Sequence, residues 1–355
     1  MERLTEALVH ARLTKGYKIK EVAALTGIDA SLISRIERGG RKPTPAQIPV
    51  LSEVYGIDAL ELRRMIKVAQ IMYLLDEEPD LATMIVEDIR VEYLSGLEGL
   101  QVPRINEALQ EALDHIDALK KKWNACRPLN ETQLLKMKAH FNTAYTFESN
   151  RIEGNTLSLQ ETSLVVHEGL TISGKSMKEH LEAVNHAEAV EYVEDLVRQK
   201  TDLSSRILKE LHHLILKSIA REHAGKYRTV PVRITGSDHI PPDPYLLDKM
   251  MEDYFLFYTK EKRRLHPVVL AADMHERLVT IHPFIDGNGR TARLVMNLIL
   301  LQHGYTIANL KGDIPSRLAY YRALEKVQMD NAPQVFYKLV AQAVEASLQA
   351  HLAMV

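Results

Sequence analysis

The chain has 355 residues, more than one typical domain needs, so its length predicts two or three domains. Its net charge of −2 provides no global basic field for nucleic acid, and any such site must be local. A single cysteine, Cys126, excludes an intrachain disulfide framework, and no apolar run reaches the ~20 residues of a membrane span. We therefore expect a cytoplasmic protein with no membrane contact.

Residues 1–66 contain short amphipathic stretches separated by glycine turns, and the whole chain has long stretches with a 3.6-residue hydrophobic period, which predicts a mostly α fold. The segment Lys20–Gly39 has the pattern of two short helices joined by a tight turn. It resembles the lambda-repressor-like helix-turn-helix family. The resemblance implies a small all-α domain whose second helix faces the DNA major groove with Ser31, Ser34 and Arg35.

DNA is accordingly an expected partner of residues 18–42, where Arg35, Arg38, Arg41 and Lys42 form a local basic cluster. Ile19 stands where this family often has a glutamine that steadies a phosphate contact. The alternative is a helical protein-interaction module that does not bind DNA.

The next segments are also helical by pattern. Residues 67–130 are predicted to be a helical connector, and a helical run begins at Glu131 and closes near Gly154, a typical C-terminal cap. Ser149 and Glu153, four residues apart, share a face of this helix. A glutamate at a helix C-terminus opposes the helix dipole, which suggests a partner elsewhere in the fold.

Residues 225–242 contain the strongest strand signal. Val230, Val232 and Ile234 alternate with polar residues and a proline, and Gly236–Asp238 has turn chemistry. The pattern predicts a small β-hairpin, either an ordinary surface feature or an exposed edge on which another chain can pair.

The most informative stretch is His282–Arg293 (HPFIDGNGRTAR), which is followed at once by a helical run. Glycines and a helix N-terminus favour phosphate, and Arg290 and Arg293, three apart, can both bind phosphate oxygens. Asp286 is a suitable Mg²⁺ ligand. The alternative of a dinucleotide fingerprint needs a preceding strand, and the residues before His282 have a helical pattern.

This string matches the HPFx[D/E]GNGRxxR signature of the Fic family at every fixed position. The resemblance implies transfer of AMP from ATP to a Ser, Thr or Tyr hydroxyl of a target protein, and a helical core with a hairpin flap. It makes His282 the general base and Asp286 the Mg²⁺ ligand. The implied nucleotide contacts in the motif are Asp286, Gly287, Asn288, Gly289, Arg290, Thr291 and Arg293.

The resemblance extends to other segments. The segment Ser149–Gly154 fits the inhibitory motif [S/T]xxxE[G/N], which implies that Glu153 pairs with Arg293 and blocks productive ATP binding. The target would pair with flap residues 230–240. Further implied nucleotide contacts are Gly236, Ser237, Asp238 and His239 in the flap, Tyr320 or Tyr321 at the adenine, and Asn297 at the ribose.

The expected organisation is a helix-turn-helix domain (1–66), the connector (67–130), a Fic domain (131–340) that includes the inhibitory helix (131–155), and a helical tail (341–355). The leading prediction is an auto-inhibited protein adenylyltransferase, also acting on itself. The alternatives are an enzyme that removes AMP using Glu153, and a DNA-binding regulator that senses nucleotide. Many members of the Fic family self-associate, so the resemblance allows a homo-oligomer.

Overall fold

A computed structural model describes residues 2–44, 46–76 and 105–355, which form two compact units, one on each side of residues 77–104. Residues 77–104 of the predicted connector lie outside the described residues. Within these ranges, no helix is both long and apolar enough to cross a membrane.

Among the described residues, the first unit contains five helices. Its helices are α1 (Glu2–Thr14), α2 (Ile19–Thr26), α3 (Ala30–Glu37), α4 (Ile48–Tyr55) and α5 (Ala59–Asp76). The buried carboxylate of Glu37 accepts hydrogen bonds from Arg12 Nε (2.8 Å) and Tyr55 Oη (2.7 Å), which ties α1, α3 and α4 together. Helix α5 continues past residue 66, so the predicted domain limit falls inside a helix.

The second unit contains ten α-helices among the described residues. These are α6 (Glu107–Ala125), α7 (Glu131–Ile152), α8 (Leu159–Glu168), α9 (Met177–Arg198), α10 (Ser205–Leu216), α11 (Leu247–Glu261), α12 (Pro267–Ile281), α13 (Asn288–Gln302), α14 (Ile314–Asp330) and α15 (Gln334–Leu352). Side-chain caps start several of them; Ser158 and Ser176, for example, form capping boxes at α8 and α9.

Helix α13 is the centre of this unit. Residues Leu294–Leu300 are all buried, because α13 contacts α7, α9, α10 and α12 around its circumference. Helix α6, predicted as connector, packs against α15, and the limit predicted at residue 340 lies inside α15. The central position of α13 fixes its N-terminal turn, where the predicted phosphate site begins.

The predicted β-hairpin flap does not form. Residues 229–243 are irregular, and no strand occurs in the ranges that the structure describes. Ser237 N donates to Ile234 O in a turn, but three prolines (Pro231, Pro241 and Pro242) remove donors that a strand ladder needs. Val230 is exposed and Val232 and Ile234 are only partly buried, so none of the three alternating apolar residues lies in the core.

Candidate functional site

His282 caps the C-terminus of α12 in a left-handed backbone conformation (φ 51°), with its N–H donating to Leu278 O at 2.9 Å. Its Nδ1 lies 3.2 Å from Val279 O, so the neutral ring donates there and keeps a lone pair on Nε2. Burial lowers the pKa of His282, and this outweighs the nearby Glu153, which raises it. The ring is therefore held as a neutral base at physiological pH.

The turn after His282 leads directly into α13. Gly287 occupies the N-cap with φ 78°, which only glycine adopts without strain. The amide of Asn288 is buried and braces the turn from within: Phe284 N donates to its Oδ1 (3.0 Å), and its Nδ2 donates to Phe284 O (2.9 Å). The side chain of Asn288, predicted to contact phosphate, is thus occupied, while the backbone N–H groups of the first turn remain as anion donors.

Asp286 is the metal-ligand candidate. Its side chain is 52% exposed, and its Oδ1 accepts from Gly287 N at 2.6 Å. Mg²⁺ prefers one or two carboxylates together with substrate phosphates and water, so a lone accessible carboxylate beside an anion-binding turn fits that ion. No cluster of three or more metal-binding side chains occurs among the described residues.

Two further predicted residues on α13 are buried. Arg290 lies between Asp286 (3.5 Å) and Glu182 (3.4 Å), and its Nε and Nη1 have no hydrogen-bond partner within the described ranges. Thr291 is fully buried, and its N–H donates to Gly287 O. Buried donors without partners are costly, so the Arg290 guanidinium retains capacity to bind an anion.

Arg293 meets the C-terminal turn of α7. This guanidinium is 1% exposed, and it donates to Ser149 Oγ (3.0 Å), Ser149 O (2.9 Å) and Glu153 Oε1 (2.6 Å). Burial opposes the charge, but Glu153 together with Tyr320 and Tyr145 outweighs burial and raises the pKa of Arg293. The structure therefore brings together the two residues of the predicted inhibitory pair, which are 140 positions apart in sequence.

The carboxylate of Glu153 also lies on the first turn of α13. A Cβ added to Gly289 would stand 2.5 Å from Glu153 Oε1, so only glycine admits the carboxylate at this distance. A helix N-terminus attracts anions, and the Glu153 carboxylate occupies this anion position. Gly154 follows with φ 96° and ends the helix.

The two predicted adenine contacts differ in accessibility. Tyr320 is buried edge-on against His275, and its hydroxyl lies 3.4 Å from Arg293 Nη1, so its ring is not available to stack on a base. Tyr321 is 44% exposed and donates to Ile152 O at 3.0 Å. Asn297, predicted at the ribose, is buried with both ends of its amide bonded to Ala308.

Arg228 is a site residue that the sequence analysis did not single out. It is 3% exposed and donates to three backbone carbonyls: His282 O (2.8 Å), Val230 O (3.1 Å) and Pro242 O (2.5 Å). It thereby fastens both ends of the flap segment, residues 229–243, to the strained residue that carries the base. The sequence did not predict the burial of Arg228, because an arginine beside prolines is typical of an exposed loop.

The rest of the flap segment is arranged around the end of α12. Gly236 has φ 78°, and His239 N donates to Ser237 Oγ (3.2 Å). His239 Nε2 lies 2.8 Å from Thr280 O, which holds the flap segment close to His282. Asp238 is exposed in this loop.

His212 also supports the site, and the sequence analysis did not single it out. Its ring stacks on Phe284 at 3.6 Å, its Nε2 donates to Asp286 O (2.9 Å) and its Nδ1 accepts from Gly225 N (2.9 Å). Burial lowers the pKa of His212 to about 4, so the ring stays neutral and keeps one donor and one acceptor.

In the first unit, Ser31 and Arg35 are exposed on α3, and Ser34 is partly exposed. Ser31 Oγ donates to Asp29, the N-cap of α3, and Ser34 Oγ accepts from Arg38 Nη2 at 2.5 Å. The predicted DNA-facing side chains therefore lie on one accessible helix, with both serine hydroxyls engaged locally.

Comparisons with known proteins agree with this geometry. Residues 202–300 match the Fic/DOC family, and residues 10–62 match a helix-turn-helix family. The chain carries a Fic domain. The Fic match contains His282, the anion-binding turn and both arginines, and the helix-turn-helix match covers α2–α4 with the end of α1 and the start of α5.

Curated relatives include "Protein adenylyltransferase Fic" of Nematostella vectensis, 36% identical over 71% of this chain and 58% of its own length. The Drosophila melanogaster protein of that name is 33% identical over 73% of this chain and 52% of its own. The chain thus spans little more than half the length of these relatives.

Two solved structures share the fold. A Fic-domain signalling protein of Bacteroides thetaiotaomicron has 27% identity and a TM-score of 0.63 over 67% of this chain and 96% of its own. Fic-1 of C. elegans has 22% identity and a TM-score of 0.63 over 99% of this chain and 98% of its own. The latter resemblance concerns the fold alone.

Proposed function

We propose that this protein transfers AMP from ATP to a Ser, Thr or Tyr hydroxyl of a target protein, and that Glu153 holds this activity off. The observation that carries the proposal is that a short anion-binding turn joins a neutral His282 to the start of α13, which carries two buried arginines. The curated relatives named protein adenylyltransferase support the same reaction.

In this reaction His282 Nε2 takes the proton of the target hydroxyl, because Nδ1 is committed to Val279 O. The hydroxyl oxygen forms a bond to the α-phosphorus, and the bond from that phosphorus to the bridging oxygen breaks. Pyrophosphate leaves. The first turn of α13 binds inner phosphate oxygens, while Arg290 and Arg293 bind the outer ones. Mg²⁺ held by Asp286 and the phosphates would neutralise charge on the leaving group.

Inhibition follows from the place of the Glu153 carboxylate. It occupies one donor of Arg293, which an outer phosphate needs, and the anion position beside Gly289, which the inner phosphate oxygens need. ATP that enters must then keep its terminal phosphate elsewhere, which turns the α-phosphorus away from the attacking hydroxyl. Positioning dominates such reactions, so this displacement is enough to stop transfer.

The target protein would dock on flap residues 230–240. Val230 and Ile240 are exposed, and most backbone groups between them make no hydrogen bond to other described residues. An extended target segment can pair with this backbone and form a strand there, with its hydroxyl near His282.

The test uses ATP labelled at either the α- or the γ-phosphate, incubated with the parent, Glu153→Gly and Glu153→Gly/His282→Ala proteins. We expect protein-bound label from α-labelled ATP to form much faster with Glu153→Gly than with the parent, and none to form with the double variant. Label from the γ-phosphate would indicate phosphorylation. Label in the Glu153→Gly/His282→Ala variant would show that His282 is not the general base.

Removal of AMP from a modified protein is a second candidate, and the environment of Glu153 favours it. The side chain is 29% exposed and is near enough to His282 to affect its pKa. Glu153 would take a proton from water as the water oxygen bonds to the α-phosphorus and the bond from that phosphorus to the target oxygen breaks. His282 would act here in its protonated form, which gives its Nε2 proton to the departing oxygen and then regains one from Glu153. Release of AMP from a labelled protein by the parent, and not by Glu153→Gln, would support this reaction; equal release by both would exclude Glu153 from it.

DNA binding through residues 18–42 is the proposed role of the first unit, supported by the exposed Ser31 and Arg35 on α3. Arg35→Ala should weaken binding to duplex DNA, and Arg64→Ala, an exposed arginine on α5 paired with Glu61, is the matched control. Equal binding by both variants would reject this face.

A further inference from the structure

The segment that connects α13 to α14, residues 303–313, is here called the return loop. Its anchor on α13 is Asn297, one helical turn beyond Arg293. Asn297 Nδ2 donates to Ala308 O (3.2 Å), and Ala308 N donates to Asn297 Oδ1 (2.8 Å). All of these atoms are buried, so the return loop is fixed to the helix that carries the phosphate-binding arginine.

The far end of the return loop is bonded to α7. Gly312 N donates to Glu148 Oε2 at 2.8 Å in a buried contact, and Lys311 Nζ lies 3.4 Å from Glu148 Oε1. Both oxygens of this carboxylate are therefore directed to the return loop. Glu148 immediately precedes Ser149 and stands five residues before Glu153, in the turn that presents the inhibitory carboxylate.

Gly312 permits direct contact between the return loop and α7. A Cβ added there would lie 2.8 Å from Arg151 Cβ and 2.9 Å from Glu148 O. Its φ is not in the left-handed region, so close approach rather than backbone conformation requires glycine. Tyr321, on α14, adds a hydrogen bond to Ile152 O at 3.0 Å, which satisfies a carbonyl at the end of α7.

These contacts connect three segments in a closed series. Helix α13 is bonded to the return loop through Asn297, the return loop to α7 through Glu148, and α7 to α13 again through Ser149 and Glu153, which both contact Arg293. Helix ends fray, and a glutamate at a C-terminus is disfavoured by the helix dipole, so the final turn of α7 needs external support.

We infer that Glu148 and Gly312 are positioning residues for the inhibitory state: they hold the last turn of α7 so that Glu153 stands against Arg293. The inference rests on the proposed function. Neither residue touches the nucleotide site, and both act through Glu153. Loosening this latch, defined as the Glu148 contacts with Lys311 and Gly312, releases inhibition without removing the inhibitory carboxylate.

The experiment compares Glu148→Ala, Glu148→Gln and Gly312→Ala in the full chain. Glu148→Gln keeps an oxygen that accepts from Gly312 N, so it should retain most of the inhibition. Lys136→Ala, an exposed site on α7, controls for surface substitution. Gly40→Ala, where the nearest atom to the new Cβ is 3.6 Å away, controls for the glycine replacement. Each latch variant is also made together with Glu153→Gly.

We measure initial AMP transfer from α-labelled ATP, and amide hydrogen exchange of residues 149–153. Glu148→Ala and Gly312→Ala should raise transfer about fivefold to tenfold over the parent and accelerate exchange in this turn, whereas both controls match the parent. In the Glu153→Gly background the latch substitutions should add nothing, because their effect passes through Glu153.

The two proposals fail in different ways. If Glu153→Gly is active and the latch variants match Lys136→Ala in transfer, the latch is rejected and the proposed function stands. If no variant transfers AMP, the proposed function fails, and exchange decides the latch: unchanged protection of residues 149–153 rejects it, and faster exchange retains it as a support of that turn. An additive gain on top of Glu153→Gly would also overturn the inference.

Discussion

Replacing Glu153 is the perturbation with the clearest expected size. Productive binding of ATP requires Arg293 Nη2 to leave Glu153 Oε1, its partner at 2.6 Å. A hydrogen bond between charged groups contributes about 1.5–3 kcal/mol net, and 1.36 kcal/mol corresponds to a factor of ten. Glu153→Gly should therefore raise AMP transfer about 10- to 150-fold. The guanidinium stays in place, because Ser149 and Tyr320 still bind it.

The assay is the initial rate of labelling from α-labelled ATP, measured over a range of ATP concentrations with Mg²⁺. Glu153→Gln is the matched variant, since it has nearly the same size and lacks the charge. It should fall between the parent and Glu153→Gly, because a neutral acceptor releases Arg293 more readily. Circular dichroism checks that the variants are folded.

Two results would refute this reasoning. Equal rates for the parent, Glu153→Gln and Glu153→Gly would show that the ion pair does not limit transfer. A rate for Glu153→Gln as low as the parent's, beside a fast Glu153→Gly, would show that bulk rather than charge blocks the site.

Three further predictions concern neighbouring residues. Since burial lowers the pKa of His282 below its ordinary value of 6.5, the pH–rate profile of Glu153→Gly should have its acid-side midpoint below 6.5; a midpoint at or above 6.5 would contradict this. In the Glu153→Gly background, Arg228→Lys should lower kcat about 10- to 100-fold and leave the affinity for ATP unchanged, because lysine cannot bind three carbonyls in fixed geometry. The control is Arg263→Lys at an exposed position, and equal kcat values for the two variants would show that Arg228 does not position His282. Glu153→Gly should lower Tm by about 2–8 °C, because Arg293 loses a charged partner, and Mg²⁺–ATP should restore most of the lost Tm. If Mg²⁺–ATP raises the Tm of the parent and of Glu153→Gly equally in a thermal unfolding measurement, the result would count against the pairing of Glu153 with Arg293.

The part of the site whose residues are close together in the sequence could be predicted. In His282–Arg293, glycines, a base and two arginines stand beside a helical period, and the structure places the turn at the start of α13. The pairing of Glu153 with Arg293 came from the resemblance, because 140 residues separate them and no spacing rule connects residues on two helices.

Other features depended on tertiary packing, which the sequence does not reveal. The alternation at Val230–Ile234 indicated a strand, but a strand needs a partner ladder, and the flap segment is held by Arg228 instead. Tyr320 and Tyr321 are adjacent on one helix, and only the orientation of α14 decides which ring is buried. Asn297 and His212 have polar side chains whose partners are backbone atoms of distant loops.

Intact-protein mass spectrometry of Glu153→Gly after incubation with Mg²⁺–ATP tests the central claim most directly. We predict an increase by the mass of one or more AMP groups in a much larger fraction of Glu153→Gly than of the parent, and in none of the Glu153→Gly/His282→Ala protein. An unmodified Glu153→Gly protein, or an increase by the mass of a phosphate, would contradict it.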